Sequence, residues 1–383
     1  MKPWVWVRRP GWIVFAAFTL RLAVLGTFLA YNRLSWGVNE PAGIARAIVE
    51  GRGFSSAFHD STGATAWLAP AFPALLACIF RFFGVESAAS AVSAILLNVI
   101  FSSLTAVVLV KLGKEQFGEN VGIVSAWAWA LAPSLLYIPW LLWETCLSGL
   151  VLPFAFMTTL RLGASSRFRD WAWCGAIWGF AALLNPAMLA SLPALGIDAA
   201  VRSRRWKGPG LMIGICLLCV LPWTVRNFRS LGHIVPVRSN FWPELYFGNV
   251  SFNLHPTGDS MLYQKEGEMR FVADLKGRVL NFIRSNPKAF ARLTRGRIVA
   301  FWTGTLQPYP TSLFLLTLGG LIRAWRRRRR WVAFASVLML YPLVYYATYT
   351  FARYRYPIGP LMYVLAAYFV CEILTSGRKL VPA

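Results

Sequence analysis

The 383 residues are 57% hydrophobic and only 14% charged, with a mean hydropathy of +0.52; soluble domains carry roughly a quarter charged residues, so a water-soluble fold is excluded. The formal charge of +24 does not mark a nucleic-acid binder, because Lys and Arg sit in short clusters between apolar runs, the pattern that orients membrane proteins. Aromatics at 15%, with 18 Trp, suit rings placed at both membrane interfaces.

Lys2, Arg8 and Arg9 precede an apolar run, Gly11–Tyr31, broken only by Arg21. No small-residue cleavage pattern follows closely, so this run is expected to stay as a first span with its start inside. A polar loop then carries Glu40, Glu50 and Asp60. Further spans are expected at Ala89–Val110, Val121–Trp140, Thr145–Leu160, Trp171–Leu184, Met188–Val201, Leu211–Val225, Ser312–Ile322, Trp331–Thr350 and Pro357–Leu374. Several fall short of the ~20 residues a crossing needs, so their ends must draw on flanking residues. Thr65–Phe83 is apolar but carries Pro70, Pro73 and Arg81. Kept outside as a re-entrant or interfacial helix, it puts the clusters at Lys111/Lys114, Arg161/Arg167/Arg169, Arg202/Arg204/Arg205/Lys207, Arg323 with 326–330, and Arg378/Lys379 together on the cytoplasmic side. Irregular backbone at membrane depth is tolerated where protein covers it.

Residues 226–310 then lie outside. Phe271, Leu275, Val279, Phe282 and Ile283 share one helical face, Asn286-Pro287 reads as a helix start, and Phe290, Leu293, Ile298 and Phe301 continue a second face. The reading is an all-α polytopic membrane protein of about ten transmembrane helices. Its parts are an N-terminal core over 1–225 with a first outer loop at 32–88, a helical loop domain at 226–310, and C-terminal helices at 311–383. The six cysteines lie in or beside apolar runs, and the Cys216/Cys219 spacing lacks a second pair, so buried thiols are expected rather than a zinc site or disulfides. Asn185-Pro186 reads as a helix break.

Acids number only 15, so their positions are informative. Glu40 follows the first span, and Glu144 sits at an outside mouth beside Trp140 and Trp143. Arg226 and Asn227 reach the same face, as do Arg353 and Arg355 before Pro357. Acids and arginines at a membrane–water boundary suit a phosphate-linked lipid substrate; arginines as interfacial anchors with acidic partners are the plainer alternative. His59 and Asp60, with Asn227, are candidate acceptor or loop contacts.

The stretch Trp36-Gly37-Val38-Asn39-Glu40-Pro41-Ala42-Gly43-Ile44-Ala45-Arg46, followed by Glu50-Gly51-Arg52-Gly53-Phe54, resembles the first outside loop of GT-C glycosyltransferases. It is most similar to bacterial members of the protein O-mannosyltransferase and lipid A aminoarabinose transferase group, the family 39-like proteins. Trp67-Leu68-Ala69-Pro70-Ala71-Phe72-Pro73, Trp143-Glu144-Thr145, Pro222-Trp223-Thr224-Val225-Arg226-Asn227 and Phe351-Ala352-Arg353-Tyr354-Arg355-Tyr356-Pro357 resemble further family segments in the same order. The resemblance implies a GT-C bundle and inverting transfer of a sugar from a polyprenyl-phosphate donor to a lipid, glycan or protein acceptor. Glu40 would be the base, Glu144 a second catalytic acid, and Arg226, Arg353 and Arg355 the donor-phosphate ligands. Asn39-Glu40 replaces the family's Asp-Glu, and Ala69 stands where the family has lysine. A divalent ion, Mg²⁺ or Mn²⁺, held by Glu40 and Glu144 is the expected cofactor if there is one. Compact loops and the lack of organelle-retention signals favour a bacterial inner membrane, so that location, with the site facing the periplasm, is the expectation. The alternatives are a transporter or flippase, which predicts mid-membrane acids and pseudo-symmetric halves where the spans carry few acids and show no half-repeat, and a non-catalytic subunit of an envelope glycan assembly system, which would tolerate loss of Glu40 and Glu144.

Overall fold

The computed structural model describes residues 8–31, 36, 39–58, 62–165, 167–251 and 259–378. Among them the only strand-like pairing is an isolated bridge between Ser55 and Ala64. The helices run α1 (Pro10–Tyr31), α2 (Glu40–Val49), α3 (Ala71–Phe83), α4 (Ala88–Phe117), α5 (Glu119–Leu131), α6 (Pro133–Leu136) and α7 (Thr145–Leu162). Next come α8 (Phe168–Leu184), α9 (Leu192–Ser203), α10 (Gly208–Leu231), α11 (Phe241–Tyr246), α12 (Asp259–Glu266) and α13 (Glu268–Ser285). The chain ends with α14 (Pro287–Thr303), α15 (Pro308–Arg326), α16 (Trp331–Leu340), α17 (Leu343–Ala347), α18 (Ala352–Arg355) and α19 (Gly359–Arg378).

Every expected span falls on a helix, but the lengths are uneven. Among the described residues, five segments are long and apolar enough to cross a membrane: α1, α4, α7, α10 and the continuous α18–α19 stretch; α5 with the turn after it makes a sixth if its 65° bend is counted as one span. The remaining expected spans fall on α8, on a 3₁₀ turn plus α9, on α15, and on the broken pair α16–α17. α3, at 13 residues, reaches only about 20 Å at ~1.5 Å per residue, short of the ~30 Å hydrocarbon layer.

Local chemistry explains the breaks. Pro133 lacks an N–H, so the Trp129 carbonyl loses its partner one turn on; Arg21, 1% exposed inside α1, supplies Nη2–H to that oxygen at 3.2 Å and Nη1–H to the Ala130 carbonyl at 3.3 Å. Its Nε–H donates to Ser102 Oγ at 2.8 Å. Asn185 ends α8 and its Oδ1 accepts the Ala187 N–H at 3.2 Å, opening the 3₁₀ turn Pro186–Ser191. Pro287 opens α14 as expected, but the Asn286 side chain makes no capping bond. α4 and α5 meet backbone to backbone: a methyl on Gly113 would lie 2.5 Å from Gly122 Cα, the close approach that small residues permit between membrane helices. All six cysteines are free thiols.

The basic clusters gather at one end of the bundle. Arg161 pairs with Glu115, Arg202 with Asp198, Arg323 with Glu372, and the Arg330 Nη1–H donates to the Leu160 carbonyl. α7 runs from this end to Thr145 at the other, where a cavity opens.

Candidate active site

The cavity holds about 1120 Å³ and is walled mainly by apolar and aromatic side chains. Its polar lining converges from distant parts of the chain: Glu40 from α2, Glu144 before α7, Arg353 from α18, and Arg238, Asn240 and Glu244 from the loop domain.

Each group is held by local chemistry. Asn39 caps α2, its Oδ1 accepting the Ala42 N–H at 3.1 Å, which sets Glu40 in the first turn. Asn39 Nδ2–H donates onward to the Leu142 carbonyl at 3.3 Å, and Asn98 Nδ2–H to the carbonyls of Pro139 and Leu141 at 3.2 and 2.9 Å. Asn39 thus ties the segment before Glu144 to the base of Glu40, and Asn98 ties it to α4. The Trp67 indole N–H donates to Glu40 Oε1 at 3.3 Å. Burial, reinforced by the nearby Glu244 carboxylate, pushes Glu40 up from 4.5 to about 7; the Trp67 bond, Arg238 and Arg353 pull the other way. Arg353 packs over the Trp143 ring, 4.2 Å from its centroid, and over Phe351 and Tyr354. Among the described residues it has no carboxylate within ion-pair distance.

The loop domain is clamped onto the core by one buried acid. Glu268 Oε1 accepts the Ala66 N–H at 2.9 Å and the Ser239 hydroxyl at 2.7 Å; Oε2 accepts the Tyr263 hydroxyl at 2.6 Å and the Thr65 hydroxyl. Phe58, Trp67, Tyr263 and Phe271 pack edge to face around it.

Glu40, Glu144 and Arg353, all singled out in the sequence, therefore line one cavity. Arg226 does not: its guanidinium donates to the Thr65 and Phe54 carbonyls and lies 5.0 Å from the Trp223 ring. Arg355 is likewise engaged elsewhere, donating to the Phe301 and Trp302 carbonyls at 3.0 Å. Asn227 is fully buried, with its Nδ2–H on the Val235 carbonyl at 2.9 Å. All three direct their N–H groups to backbone carbonyls outside the cavity lining. His59 and Asp60 lie outside the described residues. Arg238, Asn240 and Glu244 were missed, although the scarcity of acids was signal enough to weigh Glu244 in Trp242-Pro243-Glu244. Among the described residues no three His, Cys, Asp or Glu side chains come together, so a divalent ion between Glu40 and Glu144 would need substrate oxygens to complete its shell.

Residues 68–225, less than half of the chain, match the family described as dolichyl-phosphate-mannose-protein mannosyltransferase. The fold is that of solved membrane transferases. The archaeal oligosaccharyltransferase AglB from Archaeoglobus fulgidus, in complex with an inhibitory peptide and a dolichol-phosphate, superposes with a TM-score of 0.58 at 14% identity, over 98% of this chain and 52% of that one. The chain has a GT-C fold. ArnT from Cupriavidus metallidurans, bound to undecaprenyl phosphate, matches this chain with a TM-score of 0.58 at 15% identity, over 97% of it and 62% of ArnT. The chain thus spans between about half and six tenths of the length of these structures. No curated protein sequence matches it significantly.

Proposed function

We propose that the chain is a membrane glycosyltransferase that moves a sugar, with inversion, from a polyprenyl-phosphate donor to a lipid, glycan or protein acceptor. One observation carries the reading: a carboxylate poised near neutrality and an arginine free of carboxylate partners among the described residues share one cavity at the end of the bundle. The match to the mannosyltransferase family and the lipid phosphates in the similar structures support it.

In this mechanism ionised Glu40 takes the proton of the acceptor hydroxyl as its oxygen attacks the anomeric carbon. The bond from that carbon to the phosphate oxygen breaks on the opposite face, and polyprenyl phosphate leaves. Negative charge grows on the phosphate as diester becomes monoester, so Arg353 binds the transition state more strongly than the ground state. Glu144 orients the acceptor or Arg353. The first isoprene units of the polyprenyl chain would lie in an apolar groove of about 460 Å³ lined by Leu150, Val151 and Phe154 of α7 and Trp173, Ile177 and Phe180 of α8. Thr145 and Ser148, then Leu184, carry the same two helices into the cavity, so headgroup and tail sites adjoin. A bacterial inner membrane, with the cavity facing the periplasm, completes the proposal.

Purified protein offered radiolabelled polyprenyl-phosphate sugars is expected to release sugar, and Glu40→Gln to lose about 10²–10⁴-fold of that rate with donor binding kept. Wild-type inactivity and absence of donor binding across a broad panel would sink the reading.

A further inference from the structure

A short strap between α10 and α11 lines the cavity, and its second half, residues 235–240, is pinned from both sides. From α10, Asn227 Nδ2–H donates to the Val235 carbonyl at 2.9 Å, the Thr224 hydroxyl to the Pro236 carbonyl at 2.9 Å, and Trp223 Nε1–H to the Val237 carbonyl at 2.8 Å. From the other side the Ser239 N–H donates to the Ala66 carbonyl at 2.8 Å, and its hydroxyl to Glu268. The bond from Ser239 to Ala66 ties the strap to the first loop through backbone alone. Val235, Val237 and Ser239 are buried by these anchors, while Arg238 and Asn240 face the cavity together with Glu244 at the start of α11.

The three cavity-facing groups form a connected array. Arg238 Nε–H donates to Asn240 Oδ1 at 2.5 Å, Asn240 Nδ2–H donates to Glu244 Oε1 at 2.9 Å, and Arg238 Nη2 lies 3.9 Å from that same oxygen. A phosphate suits this array poorly, because Glu244 repels it and Arg238 is already shared. Hydroxyl groups suit it well: a carboxylate accepts from them, and the remaining guanidinium and amide N–H groups donate to them. Glu244 also lies within electrostatic reach of both Glu40 and Arg353, the groups assigned above to the two faces of the anomeric carbon. We propose that Arg238, Asn240 and Glu244 read the hydroxyl groups of the transferred sugar, making the strap the sugar-specificity element of the site.

The inference rests on the donor reading above, and binding separates the two. The probes are a polyprenyl phosphate without sugar and polyprenyl-phosphate glycosides of mannose, glucose, galactose and xylose, each titrated against wild type, Glu244→Gln, Arg238→Lys and Arg353→Gln. The wild type is expected to prefer one glycoside over the bare phosphate. Glu244→Gln should weaken that glycoside about tenfold or more, as loss of a buried hydroxyl contact does, and flatten the preference among sugars. Bare phosphate binding should stay within about twofold in the same variant. Arg238→Lys, which keeps the charge and loses the fork, should act in the same direction, whereas Arg353→Gln should weaken every probe. Equal weakening of the bare phosphate and the glycosides by Glu244→Gln and Arg238→Lys would overturn the inference in favour of a phosphate site. So would an unchanged sugar preference in both variants. Failure of the wild type to bind any polyprenyl phosphate would instead remove the donor reading, and the inference with it.

Discussion

Glu40 can act as a base only when ionised, and burial works against that state. With its proton affinity raised to about 7, turnover should climb as pH rises through neutrality and level off about one unit above it. Trp67→Phe keeps the ring and removes an N–H that favours the carboxylate, so the acidic limb of the rate profile should move to higher pH. A limb that stays in place would separate Trp67 from the titration. The same shift has a stability consequence. A carboxyl raised in the folded state contributes stability in its protonated form, fully present below about 4.5 and lost as pH rises through about 7. The melting temperature of the wild type should therefore decline across that window, and Glu40→Gln should remove this part of the decline. Arg353→Gln is expected to lower kcat by about 10²–10³-fold, the usual loss for one group aimed at developing charge.

Between elements, buried polar groups hold the architecture. Glu268 joins α13 to the first loop, the strap and α12 through four accepted hydrogen bonds. Glu268→Ala removes the acceptor these four bonds share and should cost on the order of 3 kcal/mol. Hydrogen exchange should then rise at 65–67 and 235–240 while the α4–α7 packing stays protected; uniform loosening would contradict the clamp role. Arg21 serves the bundle itself, solvating the carbonyls that the α5 break exposes. Arg21→Met should cost about 1–3 kcal/mol, read as a lower unfolding temperature in detergent.

Across the whole molecule, charge is divided between the two ends. Arg161, Arg202, Arg323 and Arg330 lie at the end opposite the cavity, in keeping with the proposed cytoplasmic side. A cysteine placed at exposed Lys288 should react with an impermeant maleimide from outside intact cells, and one at Arg328 only after permeabilisation. The reverse pattern would invert the proposed orientation. The ends of the bundle were legible because apolar runs and basic clusters are local signals. The span lengths were less so: α5 bends at Pro133, and Trp331–Thr350 breaks at Pro342 between α16 and α17, because a missing backbone N–H interrupts a helix without lowering the hydropathy of the run. Among the site residues, Glu40, Glu144 and Arg353 were visible as polar groups beside helix ends. Arg226 and Arg355 were visible in the same way, yet backbone carbonyls claim both. Nothing local distinguishes an arginine that binds a carbonyl from one that faces a cavity.

Composition and periodicity by themselves determined that this chain is an α-helical membrane protein, with its rare acids gathered beside helix ends and a helical loop domain late in the sequence. Those properties follow from one-dimensional constraints, since a span needs a continuous apolar run and its orientation follows from flanking charge. The tertiary structure decided which polar groups meet. It brought Glu244 to Glu40 and Arg353 from far apart along the chain, and assigned Arg21, Arg226, Arg355 and Glu268 to carbonyls, amides and hydroxyls instead. The physical reason is that burial makes each hydrogen-bonding group seek its nearest partner in space, and that neighbour is set by the packing of the whole bundle.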